Sequence, residues 1–160
     1  MGTSAVTLGT ETATTSGTQV DYTGFPAGTK MIVLVMNGVS NNGLTATTLL
    51  QLGDAGGIEA TGYDGGIVRI VAGLGYNNST GFNLDFVGQS GASKGHVFLT
   101  RVNANGLTWL ISGSLSPLGS AYAYLGVLSG SKTLSAELDR IRLETSAEFD
   151  AGSFNVLYFV

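Results

Sequence analysis

The chain has 160 residues, enough for one domain with an unaided core, and only 11% are charged, against about 25% in an average soluble domain. Seven basic residues in no basic run and a net charge of −4 argue against a nucleic-acid surface, which needs clustered Lys and Arg. Cysteine is absent, which removes disulfides, thiolate catalysis and Cys-type zinc sites, and the 43% hydrophobic content argues for an ordered chain.

The first 17 residues are rich in Thr, Ser and Gly and read as an N-terminal arm or a β-branched edge strand; residues 18–160 read as a single domain. No signal-peptide pattern opens the chain. Val20 and Tyr22 alternate with Asp21 and Thr23 as a short strand, and Gly24-Phe25-Pro26-Ala27-Gly28 makes a turn. Residues 30–37 (KMIVLVMN) are apolar on both faces and predict a central strand. Even this region falls short of the roughly 20 apolar residues of a membrane-spanning helix, so no membrane insertion is expected.

Residues 47–52 predict another strand. The glycine density of residues 53–66 (GDAGGIEATGYDGG) then reads as an exposed, shaped loop, since ordered glycine loses the most conformational freedom. Its candidate recognition residues are Asp54, Ile58, Glu59, Tyr63 and Asp64. Strands follow at 67–71, 82–87 and 96–102. Asn103-Ala104-Asn105-Gly106 predicts a hairpin into residues 107–115, with Trp109 and Ile111 reaching the core.

Two more strands are expected at 121–128 and 134–143, the second changing phase at Asp139-Arg140 as a β-bulge does. The last segment is apolar on both faces: Phe154, Val156, Tyr158 and Val160 point one way, Leu157 and Phe159 the other. These six, with Arg140 and Arg142, are the candidate interface residues. About ten short strands without a helical period predict an all-β, antiparallel two-sheet sandwich of jelly-roll or related Greek-key type; a closed barrel is the alternative.

Catalytic readings are poor. Gly53-Asp54-Ala55-Gly56-Gly57 differs by one residue from the box around the trypsin-like nucleophile, yet Ala55 offers no hydroxyl and the one histidine, His96, lies downstream. A lone histidine makes no zinc site, and Glu148 and Asp150 lack the spacing of a calcium loop; no cofactor or metal is expected. Asp139, Glu144, Glu148 and Asp150 could supply a glycosidase pair, but no aromatic cleft accompanies them. They read instead as ion-pair partners of Arg140 and Arg142, on a solvent face or across an interface. Tyr63, Tyr76, Tyr122 and Tyr124 are candidates for a sugar-binding face.

Residues 52–63 (LGDAGGIEATGY), 138–145 (LDRIRLET) and 149–158 (FDAGSFNVLY), in that order, resemble a recurring β-module of bacteriophage virion proteins. Asp21-Tyr22-Thr23-Gly24-Phe25-Pro26 and the strand after it are similar to its opening. The resemblance implies a non-enzymatic structural protein at the virion surface and assigns no catalytic residue. A stand-alone module without a particle-attachment region is the expected form of a capsid decoration (cement) protein. Such a protein binds the major capsid protein and its own copies, by analogy as a homotrimer. The alternative is a tail-fibre tip or adhesin that contacts tail proteins and a host-surface glycan.

Overall fold

The computed structural model describes residues 6–70, 74–84, 92–118 and 125–160. Strands β1 (Val6–Leu8), β2 (Thr12–Ala13) and β3 (Gln19–Thr23) lead into the long β4 (Met31–Asn41). Then come β5 (Thr48–Asp54), β6 (Gly57–Ile58), β7 (Tyr63–Arg69), β8 (Leu74–Asn77) and β9 (Phe82–Asn83). A long hairpin of β10 (Ala92–Arg101) and β11 (Thr108–Leu118) is followed by β12 (Gly126–Thr133), β13 (Leu138–Thr145) and β14 (Phe149–Phe159). None of the described residues is helical.

The strands form an antiparallel β-sandwich. Its larger sheet has the order β1-β14-β4-β10-β11-β12-β7-β8, with β2 also on β14; the smaller has β3-β13-β5-β6, with β9 also on β5. Both sheets end in edge strands, so the closed-barrel alternative is not what forms. The core lies between them. Ile32, Leu34 and Met36 of β4 and Phe154 and Val156 of β14 join Leu50, Leu52, Ile141 and Leu143 of the smaller sheet in one buried cluster. Burying each aliphatic side chain contributes about 1.5–3 kcal/mol.

Several local expectations are met. The strand at 30–37 is central, between β14 and β10. In the hairpin, the Gly106 N–H donates to Asn103 O, the Asn105 N–H donates to Asn103 Oδ1, and Trp109 and Ile111 are buried. The phase change at Asp139-Arg140 is a register shift between Leu138 and Arg140 against β5. From Val6 on the N-terminal segment contains two short strands: β1 pairs with residues 157–159 and β2 with residues 153–154.

The predicted exposed loop at 53–66 is a correction. β5 runs through Asp54, turns back at once into β6, and Tyr63 already begins β7. The glycines serve close backbone approach rather than freedom: a Cβ on Gly53 would collide with Gly57 O, and one on Gly65 with the backbone of Gly130. Of the predicted strand at 121–128, residues 126–128 lie in β12, and residues 121–124, with Tyr122 and Tyr124, lie outside the described residues.

Candidate contact face

Directly paired residues on adjacent strands share one side of a sheet. The registers of the larger sheet therefore define its outer face row by row. One row holds Leu8, Leu157, Val33 and Phe98, then Ser112, Ser129 and Gly66. The row beside it holds Val6, Phe159, Met31, Thr100 and Leu110. Val6 is 57% exposed, Leu8 64%, Leu110 48% and Phe98 41%, while Met31, Val33, Leu157 and Phe159 are half-buried. Together they form an apolar patch, a kind of surface that is often functional on a monomer.

From Val6 on, the N-terminal segment leaves this patch open. β1 and β2 extend β14 sideways, and between them the Gly9 N–H donates to Val156 O at 2.7 Å. The segment tucks under the sandwich edge, where a Cβ on Gly9 would strike Tyr22 and Val156. It thus closes the core and adds Val6 and Leu8 to the outer patch.

The outer face of the smaller sheet carries ion pairs over β3 and β13, while Leu49 and Gln51 of β5 on the same face are buried. Arg142 lies between Asp21 and Gln51 in register and donates to both Asp21 oxygens at 2.6 and 2.8 Å. This bidentate bond holds the Asp21 carboxyl below its usual range and raises Arg142. Arg140 makes a similar fork to its neighbour Asp139 at 2.7 and 3.2 Å. Both candidate interface arginines are therefore paired within the chain.

Of the other candidate interface residues, Phe154 and Val156 are buried in the core. Tyr158 also points inward, edge-on to Phe25 with ring centroids 5.5 Å apart, and Val160 is half-buried. Only Leu157 and Phe159 reach the outer face. That division follows the alternation read from the sequence.

The residues of the supposed recognition loop are occupied. Asp54 accepts the Ser135 hydroxyl at 2.8 Å and the Gly56 N–H at 2.7 Å, bonds that keep its carboxyl low. Burial alone would raise Glu59, but Lys132 and the N–H and hydroxyl of Ser135 bind it and bring it below its usual range. The Tyr63 hydroxyl accepts the Leu52 N–H at 2.7 Å and donates to Glu59 O at 2.8 Å, and burial pushes it well above the ordinary phenol range. Ile58 is half-buried; Asp64 alone of the five is exposed. These groups fasten the β5–β7 connection to the β12–β13 turn.

His96 is exposed on the outer face opposite Val35 and Ser114. Among the described residues no three His, Cys, Asp or Glu gather as a metal site would. The sequence-predicted contact residues omit Val6, Leu8, Met31, Val33, Phe98 and Leu110. Alternation within each strand was legible, but only the register joins them into one surface. No family model, curated protein or solved structure matches the chain.

Proposed function

We propose that this chain is a non-enzymatic structural protein of a virus particle, a decoration protein whose larger sheet presents its outer face to neighbouring protein. The supporting observation is the contrast between the two outer faces. One carries forked ion pairs suited to water; the other carries Leu8, Leu157, Val33 and Phe98 in a row. Covering such a surface contributes about 25 cal/mol per Å² before the cost of association is subtracted. Many copies on one shell then add through multivalency. The sequence resemblance to phage virion modules agrees with this reading and supplies its location at the virion surface, on the major capsid protein.

The adhesin alternative has less to stand on. Tyr63 is buried, Tyr76 lies under Arg69 at 4.8 Å, and the loop it relied on is tied down. A glycosidase reading fares no better, since Asp139 pairs with Arg140 and Asp150 accepts a bond from Ser40. Immunogold labelling of particles carrying the chain tests the proposal. Label spread over the shell is the expected result; label confined to the tail tip would favour the adhesin, and unlabelled particles would overturn both.

A further inference from the structure

We infer that the apolar face receives a second copy of this chain, related by a two-fold axis that runs parallel to the strands between β10 and β11. This rests on the proposal that the outer face is a contact surface, and it names the partner. The reason is a step in side-chain size across the face. On β1, β14, β4 and β10 the central row carries Leu8, Leu157, Val33 and Phe98; on β11, β12 and β7 it carries Ser112, Ser129 and Gly66. The small half forms a shallow depression lined by Gly66, Val68, Gly75, Asn77 and Ser129. Ridge and hollow thus lie side by side on one face, at matching distances from the line between β10 and β11.

Rotation about that line lays each ridge into the other copy's hollow. Phe98 then meets Ser112, Val33 meets Ser129 and Leu157 meets Gly66. In the next row Val35 meets Val127, itself exposed. Among the charged residues in register on this face, the rotation sets Lys94 on β10 against Ser116 and Asp64 on β7 against Phe159, so these meet no like charge, and partial desolvation of Asp64 is a cost of the pairing. Thr100, His96, Ser114 and Asn155 stand in register beside the apolar rows, so the face combines apolar and polar residues as interfaces do. Sheets stacked with nearly aligned strands are also a common packing mode.

The absence of cysteine makes the test clean. Val33 and Ser129 sit three strands apart, about 14 Å, too far for a disulfide within one chain. In the two-fold pair they face each other. Because stacked sheets lie about 10 Å apart, a bismaleimide of about 8 Å reach should join two copies of the Val33→Cys/Ser129→Cys double variant, while neither single variant should be joined. Wild-type protein should show a concentration-dependent dimer in sedimentation, and Ser129→Glu should shift it to monomer by at least tenfold in Kd with unchanged circular dichroism. A wild-type monomer at 100 μM, a trimer with no double-variant cross-link, or cross-linking of Val33→Cys alone would each overturn the inference. Shell labelling is scored separately: a dimer absent from particles leaves the inference standing and removes the decoration reading, whereas a monomer on the shell does the reverse.

Discussion

Phe98 and Val33 stand directly opposite each other on β10 and β4, and both point away from the core. One residue further along β4, Leu34 is fully buried and opposes Val97 on the inner face. A single strand therefore carries two apolar rows with different duties. The inner row holds the monomer together; the outer row stays partly exposed.

That division predicts different mutational costs. At sub-micromolar concentration, where association is weak, Phe98→Ser should change unfolding free energy by no more than about 0.5 kcal/mol, as exposed substitutions do. Leu34→Ala should lower it by about 2–5 kcal/mol, through lost burial and the cavity left behind. Urea denaturation of both variants measures the contrast. A large loss for Phe98→Ser in the dilute monomer would mean that the outer row supports the fold itself.

Lys132 is buried, with its ammonium shared between Glu59 and Thr133 O and lying 5.6 Å from the Tyr63 ring centroid. Removing Glu59 would strand that charge away from water. Glu59→Gln should therefore lower stability by about 2–3 kcal/mol, somewhat below the usual range for breaking a buried pair, because Glu59 is partly exposed. Adding Lys132→Met should restore much of the loss, since the stranded charge is then gone. A double-mutant cycle by chemical denaturation reads the coupling directly.

Much of this was legible from residues alone, and the exceptions have physical causes. The central strand, the Asn-Gly hairpin and the bulge at Asp139-Arg140 are local patterns, set by alternation and turn chemistry. The 53–66 segment was misread because glycine signals two opposite things: freedom in a loop, or close contact between ordered backbones. Gly53 against Gly57 and Gly65 against Gly130 are of the second kind, and only pairing over long sequence separations reveals it. The outer patch was hidden for the same reason. Val6, Phe159, Met31 and Leu110 are scattered in sequence, and only register makes them neighbours.

Acid should weaken the fold in a defined window. Asp21, Asp54, Glu59 and Glu137 all have carboxyls held below their ordinary values by Arg142, by Ser135 with Gly56, by Lys132 and Ser135 against burial, and by the Gly28 N–H with Arg101. A lowered folded-state value means that the unfolded chain binds the proton more readily. Stability from these groups is thus fully present above about pH 5 and is lost as pH falls below the usual carboxylate range near 4. Urea midpoints at pH 7, 5, 4 and 3 should hold between the first two and then fall. Removing the Asp21 pair with Asp21→Asn should flatten the fall only slightly, because an exposed pair is screened.

Gly152 and Gly17 separate backbone strain from steric exclusion. Both have positive φ, +89° and +73°, where a side chain is disfavoured by about 1 kcal/mol. A Cβ on Gly17 would meet nothing within 4 Å, whereas one on Gly152 would strike the carbonyl of Gly38, at the register shift that bends β14 over β4. Gly17→Ala should therefore lower stability by about 1 kcal/mol, and Gly152→Ala by more than about 3 kcal/mol, among the larger single-site effects. Gly152→Ala should also loosen β2, since the Gly152 carbonyl accepts the Thr14 N–H at 2.9 Å and the adjacent Ala151 carbonyl accepts the Thr14 hydroxyl. Faster amide exchange at Thr14 in Gly152→Ala, without change at Leu99, would locate the damage at that edge. Equal losses for the two variants would mean that β14 can straighten past Gly38, and that the bend is not imposed by close packing.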